Sequence, residues 1–130
     1  MDRCGLFGTL YPGPPDKIYE KLFQRYGLRT EDVINKLERL DVEPLVVDHI
    51  LNDGDTFKSL KVIHTPGHTP GHMSLYYEEE RTLFGADILC NTEESGLVIP
   101  PSYFTLDTAT AAMSIERIKK LQFNKLLLAH

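Results

Sequence analysis

The chain is organised around the stretch Val62-Ile63-His64-Thr65-Pro66-Gly67-His68-Thr69-Pro70-Gly71-His72, which repeats Thr-Pro-Gly-His at an interval of four residues. Proline fixes φ and glycine allows the positive φ values of turns, so the repeat predicts a rigid loop rather than a helix or a strand. Neutral imidazole is a frequent ligand of zinc and related metals. The three histidines of this stretch therefore predict a loop with metal chemistry.

Apolar segments on both sides of the loop predict strands. One strand leads into the loop and another leaves it, so the loop lies at the end of a sheet, where binding and catalytic groups are common. Turns are predicted at residues 52–55 and, with an acidic sequence, at residues 78–80, and residues 91–101 are predicted to be irregular. The predicted strands are residues 45–51, 60–63, 73–77, 82–84 and 125–128.

Helical spacing of apolar residues predicts three helices. The first begins at Asp16 as its N-cap and ends at Gly27, the second begins at Thr30, and the third covers residues 108–121. We expect all three apolar stripes to pack in the core, and we expect the first two helices to cover the mouth of the site. The stripes are Ile18, Tyr19, Leu22, Phe23 and Tyr26; Val33, Ile34, Leu37 and Leu40; and Ala111, Ala112, Ile115 and Ile118.

Composition limits the class of protein. A chain of 130 residues with 42% hydrophobic and 25% charged residues is typical of one globular domain. The net charge of −5 and the scattered basic residues argue against nucleic acid as a partner. No apolar run has the roughly 20 residues of a membrane helix and the N-terminus lacks a signal-like segment, so we expect a cytoplasmic protein that does not bind membranes. Cys4 and Cys90 are each expected to be a buried or free thiol.

Three residues that can bind metals each follow a different predicted strand. They are His68, Asp87 and His130, and their nitrogen and oxygen donors suit zinc, iron or manganese. His49 and His64 are interpreted as structural. His72 is either a residue that orients a ligand or a support for the loop. Tyr103 and Phe104 are interpreted as anchors of the core or of a loop rather than as pocket residues.

The order of three motifs makes the resemblance specific. The double Thr-Pro-Gly-His, then Phe-Gly-Ala-Asp at residues 84–87, then Leu-Leu-Leu-Ala-His at residues 126–130, resembles the metallo-β-lactamase-fold hydrolase superfamily. The resemblance implies an α/β (α+β) fold that is part of a four-layer αβ/βα sandwich, mostly its C-terminal half. Residues 1–130 would form a single partial domain, with a helical pair at 16–41 and with the sheet and the third helix at 44–130.

The resemblance also implies roles for the candidate ligands. His68 would bind a first metal, Asp87 would bridge two metals, and His130 would bind the second, while His72 would orient a ligand or a substrate group. Zinc is the expected metal, with iron or manganese as alternatives, and the complete domain would hold two ions. The superfamily's upstream His-x-His-x-Asp-His motif is absent from this sequence, so each ion would have fewer than the three protein ligands of a catalytic zinc.

The implied function is metal-dependent hydrolysis of a small ester or thioester, in which two metals lower the pKa of a bound water. Asp87 stands where the true β-lactamases of this fold carry a cysteine, which argues against a β-lactam substrate. The missing motif predicts that this chain alone is incomplete or inactive. The alternative is a non-catalytic half-domain that acts as an interaction partner or is a gene remnant. In either case we expect association, as a homo-oligomer or with a complementary chain, and a metal shared between chains is a third possibility.

Overall fold

The computed structural model describes residues 15–41, 43–93 and 95–130. Cys4 lies outside these residues. A short 3-10 helix at Ser102–Phe104 precedes the third α-helix. The regular elements, in chain order, are α1 (Pro15–Arg25), α2 (Thr30–Glu38), β1 (Thr56–Phe57), β2 (Leu60–His64), β3 (Met73–Tyr77), β4 (Thr82–Ala86), β5 (Cys90–Thr92), β6 (Gly96–Val98), α3 (Thr108–Ile118) and β7 (Lys125–Leu128).

A five-stranded sheet in the order β1-β2-β3-β4-β7 forms the centre of the described structure. Neighbouring strands from β1 to β4 are antiparallel, as expected for hairpins, and β7 returns parallel to β4. A parallel return needs a crossover connection, which here contains α3. The parallel pairing brings the carboxyl ends of β4 and β7 to the same edge of the sheet. The prediction of a mixed α/β fold is confirmed.

The two faces of the sheet differ. On one face, Ile63, Tyr76 and Leu83 pack with Ile115 and Ile118 of α3, and all five side chains are buried. On the other face, register places three apolar residues side by side across β3, β4 and β7: Leu75, Phe84 and Leu127. Phe84 and Leu127 are 39% and 50% exposed, so this face keeps apolar surface in contact with solvent.

The helices agree with the predicted positions but not with every predicted stripe. Ile18 of α1 is buried, whereas Tyr26 is 70% exposed. None of the residues of α2 is buried, so the prediction that its stripe packs in the core is wrong. In α3, Ala112 is exposed and Ser114 is buried instead. Asp16 lies within the first turn of α1, and its carboxylate accepts hydrogen bonds from the N–H and the hydroxyl of Ser102, at 2.7 and 2.6 Å.

Two predictions about strands are wrong. Residues 45–51 form no strand, and Leu45, Val46 and Ile50 are largely exposed to solvent. Residues 91–101 are not wholly irregular, because β5 and β6 form an antiparallel hairpin with Cys90 opposite Val98. Cys90 is a buried free thiol, as predicted.

No helix among the described residues is long and apolar enough to span a membrane.

Candidate metal centre

The histidine loop connects β2 to β3 and is fixed by hydrogen bonds from the segment that leads into α3. The N–H of Leu106 donates to the carbonyl of His68 at 3.2 Å, and the N–H of Asp107 donates to the carbonyl of Gly67 at 2.9 Å. The buried hydroxyl of Ser114 donates to the carbonyl of Pro66 at 2.7 Å. Because three successive carbonyls of the loop have partners, the backbone on the N-terminal side of the loop is held in one conformation.

Gly67 is the point of closest approach between the loop and α3. A Cβ atom built at Gly67 would lie 2.4 Å from both the Cα and the backbone nitrogen of Ala111. Gly67 also has φ +136°, a value that residues with side chains rarely adopt. By contrast, a Cβ at Gly71 would meet no atom within 4 Å. The two Thr-Pro-Gly-His repeats are alike in sequence, but only the first glycine is required by packing.

Asp53 and Arg117 form an ion pair that holds the backbone of His64, where β2 ends and the loop begins. The Arg117 guanidinium donates to both carboxylate oxygens of Asp53, at 2.8 and 2.7 Å, and to the carbonyl of His64 at 2.9 Å. Asp53 in turn accepts the N–H of His64 at 2.8 Å. The hydrogen bonds from Arg117 and then from His64 hold the pKa of the Asp53 carboxyl below its ordinary value. This ion pair and the hydrogen bonds to His64 link the turn before β1, the end of β2 and the end of α3.

Asp87 follows an irregular end of β4. Ala86 has φ +49°, and the β4–β7 pairing shifts register between Phe84 and Ala86. The N–H of Ala129 donates to the carbonyl of Ala86 at 3.1 Å, and the N–H of Asn91 donates to the carbonyl of His130 at 3.1 Å. The first bond joins the ends of the two parallel strands, and the second joins β5 to His130. Together they place Asp87 beside His130.

The three candidate ligands meet at the Asp87 carboxylate. His68 Nε2 lies 4.0 Å from Asp87 Oδ2, and His130 Nε2 lies 3.5 Å from Asp87 Oδ1. Each carboxylate oxygen therefore faces a different imidazole. The side chains of His68 and Asp87 are 26% and 35% exposed, whereas that of His130 is 75% exposed.

His72 lies behind Asp87 and contacts its backbone. The N–H of Asp87 donates to His72 Nε2 at 3.2 Å, so Nε2 is unprotonated and Nδ1 carries the proton. Nδ1 then donates to the carbonyl of Thr65 at 3.0 Å, with the Thr65 hydroxyl at 2.9 Å. Burial lowers the pKa of His72, which agrees with a neutral ring. The neutral imidazole links the histidine loop to the backbone of Asp87.

The arrangement fits one part of a two-metal centre. Within residues 15–41, 43–93 and 95–130, no three His, Cys, Asp or Glu side chains come close enough to hold a single ion. A carboxylate that faces a different imidazole with each oxygen suits a bridge between two ions, with one histidine for each ion. His68 Nδ1 is also buried, and no described residue offers it a hydrogen bond. A buried polar nitrogen without a partner destabilises the protein unless another group forms a hydrogen bond with it.

The candidate ligands line a cavity of about 610 Å³. His49 is exposed and does not line it, and His64 is exposed and donates from Nε2 to the carbonyl of Pro70 at 2.8 Å. Phe104 does line the cavity, contrary to our interpretation, whereas Tyr103 packs against Phe104 with ring centroids 4.9 Å apart. Helix α1 supplies part of the wall, as predicted, but α2 does not. The lining residues are Ile18, Tyr19, Leu22, Arg25, Tyr26, His68, Asp87, Cys90, Asn91, Thr92, Glu93, Pro100, Phe104 and His130.

Sequence reasoning missed the residues that position the loop. Asp53 was recognised only as part of a turn, and Arg117 only as part of a helix. Their pairing across 64 positions has no local signal, because a single exposed arginine on a helix is usually solvated. Tyr19 and Leu22 were assigned to the core because an apolar stripe has the same spacing whether it faces a core or a cavity.

Comparisons with known proteins show the family of the chain. A sequence model of the metallo-beta-lactamase superfamily matches residues 9–130. The chain is 40% identical over 78 residues to a Bacillus subtilis (strain 168) protein described as the probable metallo-hydrolase YflN, covering 52% of this chain and 30% of that protein. It is 43% identical over 47 residues to the hydroxyacylglutathione hydrolase of Rhizobium etli, covering 33% and 18%. The matched segment thus spans less than a third of either relative.

One solved structure shows the same fold over most of the chain. It is a metallo-beta-lactamase family protein from Thermus thermophilus, with 27% sequence identity and a TM-score of 0.56. The similarity covers 92% of this chain and 40% of that protein. The elements described here therefore correspond to one portion of a longer chain in that protein.

Proposed function

The chain belongs to the metallo-beta-lactamase superfamily, and we propose that it takes part in metal-dependent hydrolysis of a small ester or thioester. His68, Asp87 and His130 hold the metal ions in this proposal. The observation that carries it is the Asp87 carboxylate, which faces His68 with one oxygen and His130 with the other. Zinc is the proposed metal, because one imidazole and one carboxylate oxygen for each ion suit its borderline character, and iron or manganese are the alternatives.

The metal ions supply the chemistry of the step, because a divalent cation lowers the pKa of bound water and polarises a carbonyl group. In hydrolysis, the oxygen of water bonds to the carbonyl carbon, the carbon–oxygen or carbon–sulfur bond breaks, and the leaving alcohol or thiol takes up a proton. The task of this chain is positioning. His72 holds the backbone of Asp87, and Arg117 with Asp53 holds the loop that carries His68.

The thioester class has support from one relative. The Rhizobium etli protein is described as a hydroxyacylglutathione hydrolase, and hydroxyacylglutathione is a thioester. The net charge of −5 gives no attraction for a polyanionic substrate such as nucleic acid. A small ester or thioester is therefore the substrate class to test first.

Each ion would receive two protein ligands from this chain, one fewer than catalytic zinc sites normally have. We propose that a second chain, either another copy or a complementary protein, supplies the others. The exposed apolar row of Phe84 and Leu127 on the open face of the sheet is a surface that such a partner would bury.

Metal content is the measurement that tests the proposal. The purified protein, His68→Ala and His49→Ala are loaded with zinc, dialysed and analysed for bound metal. His49 is a matched control because it is an exposed histidine outside the cavity. We expect bound zinc in the unaltered protein and in His49→Ala, and a loss in His68→Ala. Absence of metal from the unaltered protein, or equal metal in both variants, would contradict the proposal.

The second candidate function is that of a non-catalytic interaction module, favoured by the same exposed apolar row. Sedimentation with and without a chelator separates the two. A metal shared between chains predicts that chelation dissociates the oligomer, because the free energies of metal binding and assembly are linked. An oligomer that survives chelation and hydrolyses no ester or thioester supports the interaction module instead.

A further inference from the structure

One wall of the cavity beside Asp87 is apolar and comes mainly from α1. Ile18, Tyr19 and Leu22 contribute from the helix, and Pro100 and Phe104 contribute from the segment after β6. Tyr19 also packs against the cluster that contains the buried thiol of Cys90, and Cys90 follows Asp87 by three positions. The apolar wall therefore begins within a few residues of the candidate metal ligands. The cavity volume of about 610 Å³ is typical of small-molecule sites.

Contacts on both sides of the wall hold it in place without a ligand. The Asp16 carboxylate fixes the start of α1 to Ser102 through two hydrogen bonds of 2.7 and 2.6 Å. The rings of Tyr19 and Phe104 meet edge to face with centroids 6.2 Å apart. Ile18 packs with Cys90 and Val98 in a small buried cluster. A wall fixed in this way is preorganised, so a ligand would lose little free energy in ordering it.

The charges on the lining do not favour an anionic ligand. Arg25 is accompanied by Glu93 and Asp87, so the lining carries more carboxylates than guanidinium groups. A phosphate or nucleotide would need an excess of positive charge or a set of backbone N–H donors. The part of a ligand that contacts α1 is therefore uncharged and apolar.

We propose that this cavity binds the apolar acyl chain of an ester or thioester, with the chain against Ile18, Tyr19 and Leu22 and the carbonyl beside Asp87. The inference rests on the proposed function for the reaction, but the binding of the chain does not require turnover. Burial of each methylene group against the wall should strengthen binding until the cavity is filled.

A series of straight-chain methyl ketones tests the inference, because a ketone resembles the carbonyl end of an ester and cannot be hydrolysed. Calorimetry would measure binding to the full chain, with and without zinc. We expect affinity to rise about fourfold for each added methylene, from a transfer free energy of about 0.8 kcal/mol. An affinity that does not depend on chain length would overturn the inference.

Three variants locate the binding. Leu22→Glu places a charge on the wall, and Leu37→Glu places the same charge on α2, outside the cavity. We expect only Leu22→Glu to abolish the dependence on chain length. Leu22→Trp, which keeps the wall apolar, should shorten the longest chain that binds. Equal effects of Leu22→Glu and Leu37→Glu, or no effect of Leu22→Trp, would overturn the inference.

Failure of this inference and failure of the proposed function give different results. Chain-length-dependent binding without metal uptake supports an apolar ligand site and contradicts the hydrolase. Metal uptake and thioester hydrolysis without dependence on chain length support the hydrolase and overturn the acyl-chain site.

Discussion

Substitution of Gly67 by alanine should destabilise the protein strongly, because two independent costs act at one position. An added Cβ would lie 2.4 Å from the Cα and the nitrogen of Ala111, and both are backbone atoms that no rotamer change can move. Overpacking of this kind costs about 1–3 kcal/mol. The φ of +136° adds a strain of about 1–3 kcal/mol for a residue with a side chain. The expected loss is thus on the order of 2–6 kcal/mol from a typical stability of about 5–15 kcal/mol.

Urea unfolding would measure this loss, with Gly71→Ala as the matched control in the second copy of the same tetrapeptide. Gly71 has open space around its Cα, so its substitution should change stability by less than about 1 kcal/mol. The double variant Gly67→Ala/Ala111→Gly should not recover, because the clash is with the backbone of residue 111. Recovery in the double variant, or equal unfolding midpoints for Gly67→Ala and Gly71→Ala, would refute the reasoning.

Three further predictions follow from the contacts of the loop. Ser114→Ala removes the hydrogen bond to Pro66 and should lower the free energy of unfolding by about 1 kcal/mol, measured by urea titration; an unchanged midpoint would contradict this. Asp53→Asn should destabilise the protein at pH 7, because Arg117 lowers the pKa of Asp53 and its ionised form stabilises the fold. The difference in free energy of unfolding between Asp53→Asn and the unaltered protein should be complete above pH about 4, the ordinary pKa of aspartate. It should disappear as the pH falls through the lower pKa that Asp53 has in the folded protein. A difference that persists in acid would argue against the ion pair. If metal binds as proposed, His72→Phe should weaken zinc binding about 10–100-fold in a competition titration, because it removes the hydrogen bond to the Asp87 N–H. An unchanged affinity would show that this hydrogen bond does not contribute to metal binding.

Local signals predicted the elements around the histidine loop correctly. The Thr-Pro-Gly-His repeats form an irregular loop between two strands, as predicted. The residues of β3 alternate between buried and partly exposed, as a half-buried sheet requires, whereas Val62 and Ile63 of β2 are both buried. The turn at residues 53–54 and the start of α2 at Thr30 also agree with their sequence signals. These features depend on neighbours in the sequence, so the sequence alone is sufficient to predict them.

The failed predictions concern segments whose structure depends on whether another segment pairs with them. Residues 45–51 have the composition of a strand, but no described residue pairs with them, and a strand without a ladder leaves its backbone groups to water. Residues 90–98 have few β-branched side chains, yet β5 and β6 pair because the turn between them brings their backbones together. The presence or absence of a pairing partner, rather than β propensity, determined the structure of both segments.

The candidate site was only partly predictable for a related reason. His68, Asp87 and His130 could be identified because each follows an apolar segment and matches a motif. The contacts that position them, such as the ion pair of Arg117 with Asp53, join residues far apart in sequence and have no periodic signature. The shape of the cavity wall depends in the same way on how α1 packs against the segment after β6.

The parallel pairing of β4 with β7 has a consequence for biosynthesis. β4 ends at Ala86 and β7 begins at Lys125, so during translation the outer edge of β4 stays unpaired until the ribosome has made the whole of α3. An open strand edge of this kind can pair with another nascent chain. Asp87 and His130 become neighbours only after β7 has docked, so the candidate centre forms later than the hairpins of β1 to β4. Recovery of metal binding after refolding would therefore report the closure of this crossover rather than the formation of the first hairpins.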